Sequence, residues 1–241
     1  MKYLRLSWLT FRNRLLEERR YPFQFVLNTL GFVIVGVLLA MGSVALLGDG
    51  DVGVNTAAIF TAFLAGAAIS LPSDTLGKER QTLQEVYLRP LPTLPYIVAV
   101  CLGRGLELIL TLSTLTLLVT LVGSADPAVV LRMLIVAVPI FASMLGLGLL
   151  LAGLKLIYQK LGILNQFLTL VFVGAALAAP LELLGGTGAW SPFCEGLLYL
   201  RSGEPNIWPM LITASVYLLI GSVAFTISER TMLARGLMNV E

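Results

Sequence analysis

LGKERQTLQEVYLRPLPTLP, residues Leu76–Pro95, is the longest polar interruption between two hydrophobic runs of this chain. It carries Lys78, Glu79, Arg80, Glu85 and Arg89, in a sequence with only 12% charged residues. On both sides lie apolar runs of the length that suits a bilayer, which takes ~20 residues of helix to cross. The stretch therefore reads as a water-exposed connection between membrane helices. That reading decides the fold: an all-α integral membrane protein that crosses the bilayer several times.

Composition agrees. Of 241 residues, 57% are hydrophobic, and the mean hydropathy is +0.90. A soluble domain carries about a quarter charged residues, and this chain has half that. An outer-membrane barrel would show ~10-residue segments alternating apolar and polar, whereas the Leu, Val and Ala runs here do not alternate. There is no histidine, which removes His-based triads, His metal sites and His proton relays. The two cysteines, Cys101 and Cys194, are too few for a zinc cluster and read as small apolar fillers on opposite sides of the membrane. No metal site is expected, and no nucleic-acid partner. Asp49 and Asp51 lie in a short glycine-rich loop, but no calcium-loop pattern ending in Glu follows.

Outward from the opening stretch, the chain divides as follows. Residues 1–21 are too charged to span. Leu4, Trp8, Phe11 and Leu15 recur at helical spacing with Arg5, Arg12 and Arg19 beside them, the pattern of an amphipathic helix at the lipid interface. Six spans are expected over 23–47, 56–72, 106–122, 130–154, 161–181 and 208–228. Within the polar stretch, 76–88 reads as a helix. Residues 93–103 are apolar but short. Arg104 and Glu107 follow them and would be costly at the bilayer centre, so 93–103 reads as an elbow helix in the cytosolic interface. Ala142-xxx-Gly146 and Gly148-xxx-Ala152 read as close-packing faces. Residues 183–207 mix aromatics with scattered charge and read as an interfacial, re-entrant-like segment. Within it, Ser191 should cap and Pro192 start a short helix through about Leu200.

Sidedness follows from Lys and Arg. With both termini in the cytosol, Lys2, Arg5, Arg12, Arg14, Arg19, Arg20, Lys78, Arg80, Arg89, Arg104, Lys155, Lys160, Arg230 and Arg235 fall inside, and Arg132 and Arg201 outside. That is fourteen of the sixteen basic residues, a strong positive-inside bias. The polar stretch is then cytosolic and 183–207 extracellular, in a multi-pass protein of the cell (inner or plasma) membrane.

The chemistry available is limited. No expected span has a charge near its middle, where an ion-coupled transporter usually keeps an acid. No GxxxxGK[ST] loop occurs, because Gly77-Lys78 is followed by Glu79 and lacks the upstream glycine. The chain is not expected to be an enzyme or to bind a nucleotide cofactor by that route. Asn28, Thr111, Thr114, Asn165 and Thr169 are polar positions in the spans that could line a pathway. The alternative for the hydroxyls is that they bond their own i−4 carbonyls and need no function.

Glu79-Arg80-Gln81-Thr82-Leu83-Gln84-Glu85-Val86-Tyr87-Leu88-Arg89-Pro90-Leu91 resembles the E-R-G-T-L-E-x-L-x-x-x-P-L pattern of the ABC-2 family of ABC exporter permeases. Gln81 stands for the usual Gly and Gln84 for the usual acidic residue. Pro180-Leu181-Glu182, Ser191-Pro192-Phe193 and Gly196 through Arg201 are similar to the family's extracellular stretch. The order of parts matches as well: an N-terminal interfacial helix, six spans, and a coupling helix between spans two and three. The resemblance implies a permease that dimerises with a copy or a homologue and binds two ATPase subunits, which carry ATP and Mg. Residues 76–88 would be the coupling helix. Glu79, Arg80, Thr82, Leu83, Glu85, Val86 and Tyr87 would form its ATPase interface, and Arg89, Pro90, Arg104 and Glu107 the elbow. The cargo would be a small amphipathic or hydrophobic molecule moved out of the cytosol, with membrane lipids around the chain. Two other readings stay open: a secondary transporter or channel, and a non-transporting membrane scaffold.

Overall fold

A computed structural model describes residues 2–20, 23, 30–31, 34, 38, 52–78, 93–122, 126–158, 167–168, 170–171, 191–203 and 207–234. All the regular structure among them is helical. Six helices are delimited: α1 (Lys2–Arg20), α2 (Val52–Lys78), α3 (Thr93–Val122), α4 (Ala128–Tyr158), α5 (Pro192–Ser202) and α6 (Ile207–Ala234). The spans expected over 23–47 and 161–181 lie largely outside the described residues, as does the polar stretch beyond Lys78.

Four of these helices, α2, α3, α4 and α6, are long and apolar enough to cross a membrane. At 1.5 Å per residue their lengths, 27 to 31 residues, come to about 40 Å or more. The hydrocarbon core is ~30 Å thick, so each helix has a turn or more to spare beyond it.

The bundle is organised on α4, which packs against α2, α3, α5 and α6. Small residues set how closely. A Cβ at Gly146 would strike the backbone of Tyr217, and one at Gly221 the backbone of Gly146, so α4 and α6 cross backbone against backbone. A Cβ at Gly148 would lie 2.6 Å from the Ile69 carbonyl oxygen and 2.9 Å from that of Ala68, on α2. The two expected close-packing faces thus serve two different neighbours. The second contact also bears on Pro72, which sits inside α2 although span two was expected to end there. Proline has no N–H to give the Ala68 carbonyl. That carbonyl lies beside Gly148 of α4, and the helix continues through Pro72 to Lys78.

α3 departs from expectation in the same way. Residues 93–103 are not a separate elbow helix. The helix runs unbroken from Thr93 to Val122, through Gly103-Arg104-Gly105. The glycines are not breaks, because each seats a neighbour. A Cβ at Gly103 would lie 2.6 Å from the carbonyl oxygen of Ser7 on α1, and one at Gly105 would collide with the ring of Phe141 on α4.

α5 forms as its sequence predicts. The Ser191 side chain accepts from the Cys194 N–H at 3.5 Å, and Pro192 opens the helix. Gly203 closes it at φ 78°, a left-handed conformation that a side chain would oppose, and donates its N–H to the Tyr199 carbonyl at 2.9 Å. Gly196 meets Ile140 and Val136 on α4, while Gly203 meets Arg132. α5 therefore runs back along the N-terminal half of α4. Phe193, Leu197 and Leu200 are buried on one stripe, and α5 also packs on α2 and α6.

Candidate functional site: the polar stripe of α3

Of the site residues expected from sequence, Arg104, Glu107, Thr111 and Thr114 are described. Asn28, Glu79, Arg80, Thr82, Leu83, Glu85, Val86, Tyr87, Arg89, Pro90, Asn165 and Thr169 lie outside the described residues. The continuity of α3 brings the four together. Spaced at i, i+3, i+7 and i+10 on one helix, they form a single stripe. Two sets of residues expected for different roles, elbow and pathway, thus share one face over about 15 Å.

The stripe runs along the edge of the buried surface. Arg104, Glu107 and Thr111 are half-buried, and Thr114 is exposed. Thr114 donates to the Leu110 carbonyl at 2.8 Å, so its hydrogen is used within its own helix. Its oxygen can still accept. Next to the stripe, Leu102, Leu106, Leu110, Leu117 and Leu121 are exposed and apolar, as suits a lipid-facing surface. The opposite side of α3 meets the core through Leu112, Leu115 and Val119. Among the buried hydroxyls, Thr116 donates to the Leu112 carbonyl at 2.8 Å and lies 3.1 Å from the Met133 sulfur.

Arg104 stands about 27 Å along the helix from Val122. With Val122 near one face of a ~30 Å hydrocarbon layer, Arg104 reaches the other face. Its Nε is buried without a hydrogen-bond partner among the described residues. α1 packs beside it. Ser7, Thr10 and Phe11 meet α3 at Gly103, and the rings of Trp8 and Phe11 are 5.6 Å apart. The apolar face expected of α1 is divided: Phe11 is 7% exposed against α3, whereas Leu4 is 76% and Trp8 58% exposed. Arg5 and Arg12 are exposed as well.

Leu76, the expected head of the coupling helix, is buried in the bundle core and so belongs to α2. Asp74, one turn from the described end of α2, is exposed. The role of the glycine pair around Arg104 was missed from sequence. Its signal was present: two glycines either side of one residue point to nearly opposite faces of a helix, and each can admit a close neighbour.

Compared with protein-family models, curated proteins and solved structures, the chain matches none.

Proposed function

We propose that the chain is the transmembrane permease subunit of an ATP-driven ABC exporter. It would pair with a second permease chain and draw energy from two separate ATPase subunits. One observation carries the reading. The polar stretch is strung between α2, which ends at Lys78, and α3, which begins at Thr93, and these two helices pack on each other and on α4. A partner that seizes residues 79–88 would pull on two packed helices at once. Rigid-body movement of packed helices is an established way of carrying a switch through a protein. The sequence also has no phosphate-binding loop of its own, so such a movement needs an outside motor.

The polar stripe on α3 supports a small amphipathic or hydrophobic cargo. It offers hydroxyl oxygens, one cation and one carboxylate beside an apolar surface. Co-expression with an ABC ATPase subunit, followed by purification in mild detergent, tests the proposal. A stable complex with two ATPase copies is expected. Recovery of the chain alone, from membranes where both proteins are made, would overturn it.

A further inference from the structure

Arg132 and Arg201 are the two basic residues that the positive-inside pattern leaves on the far side. Both belong to the packing of α4 on α5: Arg132 reaches the C-terminal end of α5, and Arg201 is carried on the last turn of that helix. A Cβ at Gly203 would lie 3.3 Å from Cζ, 3.3 Å from Nη2 and 3.4 Å from Nη1 of Arg132. One point nearly equidistant from three guanidinium atoms means that the group lies flat against Gly203. Its N–H donors point outward around the edge, in the plane that suits a bidentate oxyanion. Arg201 leaves α5 two residues before Gly203.

Arg132 has no local reason to be there. It lies in the second turn of α4, where the helix's own dipole disfavours a cation. It is half-buried, and among the described residues it makes no hydrogen bond or ion pair. Asp126, the acid described nearest the start of α4, accepts from the Ala128 N–H at 2.9 Å as a cap. Arg201 is half-buried as well, and that burial pushes its guanidinium below its ordinary value. The depth of this end is marked by Trp208, 77% exposed at the start of α6, as in the aromatic belts at bilayer boundaries.

We propose that Arg132 and Arg201 form a binding site for the phosphate of an anionic membrane lipid, held at the bilayer boundary beside the C-terminus of α5. The apolar residues around them would take the start of the acyl chains, and the guanidinium edge of Arg132 the phosphate oxygens. The site does not depend on the exporter reading, because lipid is bound without ATPase or cargo.

The test uses the full-length protein in phosphatidylcholine nanodiscs doped with phosphatidylglycerol, with retained lipid counted by native mass spectrometry. The wild type should retain phosphatidylglycerol over phosphatidylcholine. Arg132→Gln with Arg201→Gln should lower that preference roughly tenfold or more, as expected for lost charge-assisted hydrogen bonds. Arg132→Lys, which keeps charge but not the fork, should fall between, with an unchanged thermal midpoint. Arg5→Gln with Arg12→Gln, on α1, should leave the retained lipid as in the wild type. Millimolar inorganic phosphate should not displace the lipid; displacement would make this a soluble-anion site and overturn the proposal. An unchanged preference in the double variant would overturn it equally.

Discussion

Gly146 and Gly221 face one another across the crossing of α4 and α6, and neither position has room for a methyl group. This contact ties the most exposed of the four long helices to the centre of the bundle. The buried residues of α6, Met210, Ala214, Gly221, Phe225, Ser228 and Met232, lie on one stripe. Its other faces are apolar and exposed. Gly146→Leu or Gly221→Leu should therefore lower stability by about 1–3 kcal/mol or more, the usual range for overpacking. The check is thermal unfolding in detergent. Val223→Leu, on the exposed face of α6, should leave the midpoint unchanged.

Gly103 makes the seat for α1. Gly103→Leu should lift α1 from α3 without unfolding the long helices. A spin label at Arg12→Cys, in a background without Cys101 and Cys194, should become more mobile in the variant. An unchanged spectrum would mean that α1 is held by other contacts.

Arg104 carries a buried Nε with no hydrogen-bond partner among the described residues. A buried, unsatisfied donor costs about 1–3 kcal/mol. Arg104→Met keeps a long apolar stem and removes the donor, so the thermal midpoint should stay level or rise. A charged residue retained against stability is one kept for function. A fall of several degrees would show that the guanidinium is a structural support instead.

Sidedness is checked by labelling. In a background without native cysteines, Ser202→Cys at the end of α5 should react with a membrane-impermeant maleimide in intact cells. Asp74→Cys, exposed near the end of α2, should react only after permeabilisation. The opposite pattern would invert the topology and put the polar stretch outside.

Much of the bundle could be read from residues alone, for identifiable reasons. Long apolar runs made α2, α3, α4 and α6 legible, because a bilayer-length run has few other fates. Ser191 and Pro192 announced α5, because a cap and a first-turn proline are local signals that need no tertiary contact. Gly146 and Gly148 marked close packing but not the partner, since a glycine shows where another helix can approach and not which one does. The helix ends were the least legible. Pro72 and Gly103-Arg104-Gly105 both look like stops. Both are carried through, because neighbouring helices fill the space that would otherwise favour a break. Continuity in turn revealed that Arg104, Glu107, Thr111 and Thr114 share one face, a relationship hidden while elbow and span were read apart.

The central claim, that the polar stretch is the grip of an external ATPase, is tested most directly at Leu83. The measurement is the yield of ATPase subunit recovered with tagged chain in mild detergent, for the wild type and for Leu83→Asp, with equal membrane insertion shown for both. A carboxylate placed in an apolar contact should abolish recovery of the ATPase while the chain itself stays in the membrane. Recovery of the ATPase with Leu83→Asp at the wild-type level would contradict the account.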